Sequence, residues 1–169
     1  SLLSQASGVF TRLGGVGNAN LRQVVGTYGG GVASIGSSCS GNASVANSGL
    51  SIDHPYTTMV AAHELGHMYG ANHVFSGTGE RCVGNAAINY EPGSGSTIMS
   101  YARQCYPDNI VSESELMFHS YNLQEMRSRA ACGSQTPTGN TRPSVEVPTT
   151  LNLNIPTRTP IRVPIEVSD

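Results

Sequence analysis

Four residues that can bind a metal or move a proton lie close together, at His63, Glu64, His67 and His73. Residues four apart share one face of a helix, so His63 and His67 can place two imidazole nitrogens on one ion. Gly70 allows the chain to leave the helix sharply, and His73 can then return as a third nitrogen ligand. The spacing therefore predicts a three-histidine metal centre.

Zinc is the ion that such a centre fits best, because Zn²⁺ favours tetrahedral nitrogen coordination and three protein ligands leave its fourth position open. A water at that position has a pKa of about 7, which makes it a nucleophile at neutral pH. Glu64 is then placed to act as the general base. The competing interpretation is that this spacing of histidines arose by chance. Three of the five histidines of the chain, however, fall between residues 63 and 73. The residues predict one catalytic zinc ion and make no prediction about calcium.

The central motif is predicted to lie on a helix. Asp53-His54-Pro55 is typical of a helix start, with proline near the first helical position. No proline interrupts the run from Tyr56 to Tyr69 that follows. We therefore expect the histidine pair on this helix, whereas His54 and His119, which lie outside the motif, are interpreted as structural.

Several further segments frame this helix. Alternating apolar and small residues predict a short strand over Val32–Ile35, at a sheet edge. Upstream, glycines argue against any long helix, and only a short one over Asn18–Val25 fits the pattern. Residues 74–111 are predicted to be irregular. Ser112–Glu115 then matches a capping box and opens a second helix whose apolar residues follow at helical spacing, namely Leu116, Leu123, Met126 and Ala130.

The composition excludes several classes of protein. A net charge of -2, with nine arginines and no lysine, provides no basic surface of the kind that nucleic acids require. No run approaches the roughly 18 apolar residues of a membrane span. The chain of 169 residues is long enough for one domain and an appendage. We expect that domain over residues 1–133, followed over residues 134–169 by a Pro-rich linker that leads into an extended, β-rich segment.

The four cysteines, at positions 39, 82, 105 and 132, are widely spaced and form no CxxC pair. A cysteine-based zinc site is therefore disfavoured. Two disulfides, which would indicate an extracellular setting, are favoured over four reduced thiols in a cytosolic protein. The sequence alone allows three pairings.

The stretch His63–His73 resembles the metzincin zinc peptidases, whose signature is HExxHxxGxxH. A second mark of metzincins is a methionine that closes a turn under the metal, and Ser96–Tyr101 fits it, with Met99 as that methionine. Within the metzincins, Ala62–His67 and Asn89–Tyr101 resemble the bacterial reprolysin-like peptidases. The resemblance gives Met99 the role of an apolar floor beneath the metal site.

The resemblance extends over residues 29–133 and implies an α+β, zincin-like catalytic domain. Such a domain has a twisted mixed sheet, an active-site helix and a C-terminal helix. Its edge strand binds extended peptide substrate, and the candidate residues here are Val32, Ala33, Ser34 and Ile35. Tyr101 stands where some metzincins place a tyrosine near the zinc. Two interpretations of Tyr101 are open. Its hydroxyl stabilises the oxyanion, or the residue is a core tyrosine of the turn.

The resemblance also concerns the cysteines and the N-terminal region. Reprolysins suggest disulfides between Cys39 and Cys132 and between Cys82 and Cys105. Val74 follows the third histidine, where adamalysin-type relatives commonly have an aspartate. Related domains carry an opening strand, a helix and further strands before the edge strand. The short region available here suggests a domain that lacks N-terminal strands and is completed by an additional chain or fragment.

Together these patterns predict a secreted zinc endopeptidase that acts on proteins or peptides, with a zinc-activated water as nucleophile and Glu64 as general base. Two alternatives stay open. The first is a zinc-binding or adhesion module with weak or no catalysis, against which the intact Glu64 counts. The second is a processed fragment of a larger secreted protease.

Overall fold

The computed structural model describes residues 2–14, 19–26, 29–40, 43–48, 53–83, 88–130, 132, 136–141, 143–146, 154–157 and 165–168. The chain divides into two compact units, Ser1–Gly133 and Ser134–Asp169. The first unit contains, in chain order, α1 (Leu2–Arg12), β1 (Arg22–Gly26), β2 (Gly29–Val32), β3 (Ala43–Ser48), α2 (Pro55–Met68), a short 3-10 helix (Glu80–Cys82) and α3 (Ser120–Arg129). In the second unit, β4 (Ser144–Glu146) pairs antiparallel with β5 (Glu166–Ser168). The described part of the chain is therefore α+β, with a small mixed sheet in the first unit.

The first unit is built on a three-stranded sheet with the order β1-β3-β2. β1 runs parallel to the central strand β3, with Val24 opposite Val45. β2 runs antiparallel to β3, with Gly31 opposite Ala46. β2 is therefore an edge strand within the described sheet, and the outer side of its backbone faces away from β3.

The edge strand lies further upstream than the sequence pattern predicted. The strand expected over Val32–Ile35 covers Gly29–Val32 instead, so this prediction was wrong for Ala33, Ser34 and Ile35. Gly36 and Ser38 each donate a backbone hydrogen bond of 2.8 Å to the last carbonyl groups of α2. The chain leaves the sheet at this point because these bonds satisfy groups that a helix end leaves without an intrahelical partner.

The N-terminal region contains more regular structure than the glycine content predicted. α1 extends over 11 residues, and β1 forms where a short helix was expected over Asn18–Val25. Leu3, Ala6 and Phe10 recur at helical spacing and pack together with Val24 of β1. Burial of this apolar face of α1 against the sheet stabilises the helix, which Gly8 would otherwise weaken.

The second predicted helix exists, but it begins later than expected. α3 starts at Ser120, with His119 as its N-cap, and not at Ser112. Residues 115–117 instead pair with residues 96–98 through two backbone hydrogen bonds of 2.7 and 2.9 Å. These bonds satisfy the Glu115 N–H, which the predicted capping box would have paired with a side chain, and the Met117 carbonyl, which the predicted helix would have paired internally. Tertiary pairing therefore outweighs the local capping signal.

Two histidines outside the central motif act as helix caps. His54 Nδ1 accepts a hydrogen bond of 3.1 Å from the backbone of Tyr56 at the start of α2. His119 Nδ1 accepts one of 3.2 Å from the backbone of Tyr121 at the start of α3. Both contacts satisfy N–H groups of a first helical turn, which is a structural role.

All four cysteines are paired in disulfides, Cys39 with Cys132 and Cys82 with Cys105. These are the two pairs that the resemblance to reprolysins suggested. The first pair connects the segment after β2 to the segment after α3. Among the described residues, no helix has the length and apolar character needed to cross a membrane.

Candidate active site

The three histidines of the motif converge on one point. His63 Nε2 lies 3.2 Å from His73 Nε2, and His67 Nε2 lies 3.1 Å from the same atom. Zinc–nitrogen bonds of about 2.0 Å in a tetrahedral arrangement separate ligand atoms by about 3.3 Å. The spacing of these nitrogens therefore matches a single zinc ion.

The second nitrogen of each helical histidine fixes the tautomer of its ring. His63 Nδ1 lies 2.7 Å from the carbonyl oxygen of Ile98, and His67 Nδ1 lies 2.8 Å from that of Ala71. A carbonyl oxygen can only accept, so each Nδ1 donates its proton and each Nε2 presents a lone pair. Metal-binding histidines take this form in proteins, with the outer nitrogen held by an acceptor.

Burial keeps these two rings neutral. Burial, together with a smaller effect of the neighbouring His67, lowers the pKa of His63 from 6.5 to about 3. Burial also lowers the pKa of His67. Protons therefore compete little with a metal ion for these nitrogens near neutral pH. Two neutral imidazoles with converging lone pairs, joined by the nearby Nε2 of His73, fit a catalytic zinc ion.

Gly70 directs the chain from α2 to the third histidine. It adopts a left-handed conformation, with φ of 91°, and its N–H donates to His67 O at 2.8 Å. A Cβ at this position would lie 2.9 Å from the Arg129 side chain. Glycine is therefore required both for the conformation and for the close approach of α3. The reversal brings His73 back over the helical pair.

α3 holds the backbone next to His73. The Glu125 carboxylate accepts hydrogen bonds from Asn72 N at 3.0 Å and Asn72 Nδ2 at 2.6 Å. The fully buried Asn122 donates through Nδ2 to Asn72 O at 2.9 Å and to Glu125 at 3.1 Å. These contacts join Asn72, Asn122 and Glu125, hereafter the Asn72 network. They fix Asn72, the residue that directly precedes His73.

The turn around Met99 lies directly against α2. Ser100 N donates to Thr97 O at 3.0 Å, which leaves Ile98 and Met99 as the central residues of the turn. Met99 is fully buried, and a Cβ at Gly66 would lie 2.6 Å from its sulfur. This turn therefore supplies both apolar packing against the helix and the Ile98 carbonyl that orients His63.

Glu64 is buried beside the histidine cluster. It is 5% exposed, and its Oε2 has no hydrogen-bond partner among the described residues. This burial raises its pKa from 4.5 to about 7. Gly31 of β2 packs against the carboxylate so closely that a Cβ there would overlap Oε1 and lie 2.7 Å from Cγ. Glu64 can therefore gain and lose a proton near neutral pH, at a position that β2 helps to define.

A cleft of about 500 Å³ opens beside Glu64. Its lining includes Gly29–Gly31 of β2, Met59 and Val60 of α2, Arg81 and Tyr101. The part of the edge strand that lines the cleft therefore lies upstream of the predicted residues Val32–Ile35. A bound ligand here would contact Glu64, His63 and the glycine edge of β2 at once.

Tyr101 borders both the cleft and the histidine cluster. Its ring centroid lies 4.6 Å from that of His73 and 4.7 Å from that of the buried Phe75. Burial raises the pKa of its hydroxyl, and the nearby Glu64 raises it further. Tyr101 thus packs on the third ligand and keeps a protonated hydroxyl in the site at neutral pH.

Sequence reasoning identified the histidines, Glu64, Met99 and Tyr101, and the structure brings them together. It missed the residues that support them, namely Gly31, Glu91, Asn122 and Glu125. Gly31, Asn122 and Glu125 act on residues that are distant along the chain, and the nearer contacts of Glu91, to Thr97 and Ser100, follow no regular spacing. The helical spacing of Leu3, Ala6 and Phe10 was a usable signal for α1.

One comparison with known proteins gives a match. A reprolysin family model, described as metallo-peptidase family M12, matches residues 15–113. This range contains the three histidines, Glu64, Met99 and Tyr101. Comparison with curated proteins and with solved structures gives no match.

Proposed function

This chain belongs to the reprolysin-like metallopeptidases of family M12, and we propose that it is a secreted zinc endopeptidase acting on proteins or peptides. The convergence of three imidazole nitrogens beside a buried carboxylate supports the proposal. Zinc held by His63, His67 and His73 would supply a Lewis acid that polarises a peptide carbonyl and acidifies a water.

Glu64 moves the proton in the proposed reaction. Its carboxylate removes a proton from the attacking water as the water oxygen bonds to the scissile carbonyl carbon. The protonated Glu64 then donates that proton to the amide nitrogen as the carbon–nitrogen bond breaks. A carboxylate and an amine leave, and no covalent enzyme intermediate forms. In the metal-free protein, burial raises the pKa of Glu64 to about 7, and this raised pKa favours the uptake of a proton that the first step requires.

The edge of β2 is the proposed site for the substrate backbone. β2 pairs with β3 on one side only in the described sheet, and Gly29–Gly31 line the cleft. An extended peptide can add as a further strand through backbone hydrogen bonds, a mode that depends little on side chains. This placement would bring a peptide bond next to Glu64.

Tyr101 is the candidate for stabilising the oxyanion through its hydroxyl. The Tyr101→Phe variant keeps the ring that packs on His73 and removes only this group. A role in the transition state would lower kcat by a factor of about 10²–10³ with little change in KM. A purely structural tyrosine would leave kcat at the parental value.

Zinc content and cleavage of a denatured protein substrate, measured with and without a chelator, test the proposal. We expect the Glu64→Ala variant to bind zinc and to lose a factor of at least about 10² in kcat. We expect His67→Ala to lose zinc binding and turnover together. A Glu64→Ala protein that cleaved peptide at the parental rate would refute the assignment. A parent protein that bound zinc and cleaved nothing would identify the zinc-binding module instead.

Secretion and domain roles are part of the same proposal. Disulfides persist in oxidising compartments, so the two pairs support export from the cytosol. We assign catalysis to residues 1–133 and leave residues 134–169 as a separate β-rich segment. The mass of the native protein would show whether it is processed from a larger precursor or retains a partner fragment.

A further inference from the structure

We propose that Glu91 is a positioning residue of the metal centre. Its carboxylate binds the turn that orients His63, and its backbone pairs with the segment that follows His73. Through these contacts, one residue links the first and third ligands of the centre. The inference builds on the proposed zinc site and assigns no contact between Glu91 and the ion itself.

The Glu91 side chain joins the two ends of the Met99 turn. Glu91 is 9% exposed, and its Oε2 accepts hydrogen bonds from Thr97 N at 3.4 Å and Thr97 Oγ1 at 2.9 Å. The Ser100 hydroxyl donates to the same oxygen. Thr97 and Ser100 are the first and last residues of the turn, so a single carboxylate fixes both. The Ile98 carbonyl, which accepts from His63 Nδ1, lies between them.

The Glu91 backbone contacts the segment that follows His73. Glu91 N donates to Val74 O at 2.8 Å, and the Ser76 hydroxyl donates to Glu91 O at 2.8 Å. Phe75 and Glu91 form a parallel β-bridge between these two contacts. Since Val74 directly follows His73, Glu91 is attached to the chain that delivers the third ligand. The fully buried Val74 side chain is apolar, so the polar link to the turn comes from Glu91.

The loop between Glu91 and the turn is shaped around this contact. Gly95 has a φ of 64°, a conformation that side-chain-bearing residues adopt with strain. A Cβ at Gly95 would overlap the Ser100 hydroxyl and lie 2.5 Å from Glu91 Oε2. A side chain at position 95 would therefore displace the contact between Ser100 and Glu91.

Groups that hold the outer nitrogen of a metal-binding histidine affect the metal strongly. Mutation of such partners typically lowers metal affinity or activity by a factor of about 10–100. Glu91 acts one step further out, on the turn that carries the partner of His63. Loss of its carboxylate would release both ends of that turn and weaken the His63–Ile98 hydrogen bond.

The experiment is zinc affinity of the folded protein, measured by competition with a metallochromic chelator. We expect Glu91→Gln, which keeps the shape of the side chain, to weaken zinc binding by a factor of about 10. Glu115→Gln, which changes an exposed carboxylate near the same turn, is the matched control and should bind zinc like the parent. Combining Glu91→Gln with Ser100→Ala should cost less than the sum of the two single effects, because the first weakens and the second removes the same hydrogen bond.

Thermal unfolding of the zinc-free variants separates positioning from a merely structural role. If Glu91→Gln lowers the melting temperature while the folded protein keeps parental zinc affinity, the proposal is wrong. If Glu91→Gln fails to fold, Ser100→Ala and Thr97→Val each remove one donor to the carboxylate, and parental zinc affinity in both would also overturn it. Zinc affinity needs no substrate, so a parent that binds zinc and cleaves nothing would refute the proposed function and leave this inference standing.

Discussion

At the scale of single residues, Glu64 links the chemistry of the site to the stability of the fold. Burial raises its pKa from 4.5 to about 7 in the zinc-free protein, so the folded state binds this proton more tightly than the unfolded chain does. The resulting stabilisation is complete below about pH 4.5 and is lost as the pH rises through about 7. Above that pH the fold contains a buried, ionised carboxylate.

We therefore predict that Glu64→Gln stabilises the zinc-free protein in a pH-dependent way. Its neutral amide replaces the protonated carboxyl, so the variant and the parent should be similarly stable near pH 4. Near pH 8 the variant should be more stable, by up to about 3 kcal/mol. Urea denaturation of chelator-treated proteins at both pH values measures this difference. An equal difference at the two pH values would contradict the prediction.

A second prediction at this scale concerns Gly31. A Cβ at this position would overlap the Glu64 carboxylate, which can move aside because it ends a flexible side chain. We expect Gly31→Ala to fold and bind zinc like the parent and to lose a factor of about 10–100 in kcat, since small displacements of a catalytic group are costly. Gly8→Ala is the control, because a Cβ there meets nothing within 4 Å. A parental kcat in Gly31→Ala would show that Glu64 tolerates displacement.

At the scale of elements, α3 supports the site through the Asn72 network. We predict that Asn122→Ala lowers the free energy of unfolding by about 2 kcal/mol, because it removes two hydrogen bonds and the packing of a fully buried side chain. Zinc affinity should fall as well, since Asn72, which precedes His73, loses the hydrogen bond from Asn122 to its carbonyl oxygen. Urea denaturation and chelator competition measure the two effects. Gln124→Ala changes an exposed residue of the same helix and should alter neither quantity.

The elements also show where the sequence is informative. The position of α2 follows from local signals, the Pro55 start and the Gly70 exit, so the close approach of His63, His67 and His73 could be predicted from spacing alone. The start of α3 could not be predicted from local signals. Residues 115–117 pair with the Met99 turn and do not form the helix that their capping box favours. β2 was misplaced for a related reason: hydrogen bonds from Gly36 and Ser38 to the end of α2 draw the chain out of the sheet.

At the scale of the whole molecule, we expect one disulfide to contribute more to stability and the other to contribute more to activity. Cys39 and Cys132 are separated by 93 residues, and Cys82 and Cys105 by 23. Chain-entropy arguments give the longer loop about 4.6 kcal/mol and the shorter one about 3.4 kcal/mol of stabilisation. The shorter loop contains Met99 and Tyr101, and Cys82 and Cys105 pack with Phe75 next to the site.

We predict that replacing Cys39 and Cys132 by serine causes the larger loss in the free energy of unfolding. Replacing Cys82 and Cys105 should cause the smaller loss in stability and the larger fall in kcat/KM of the folded protein, because Tyr101 packs against that cluster. Denaturation curves and peptide cleavage below each unfolding transition measure the two effects. The reverse order in stability would show that loop length does not govern these bonds.

The carbonyl groups of Ile98 and Ala71 bear on the order in which the protein folds and binds its metal ion. They hold Nδ1 of His63 and His67 through backbone groups, so the fold places the proton on each of these two rings. We therefore expect folding and metal loading to be separable, so that metal-free protein with both disulfides formed would bind zinc when the ion is added.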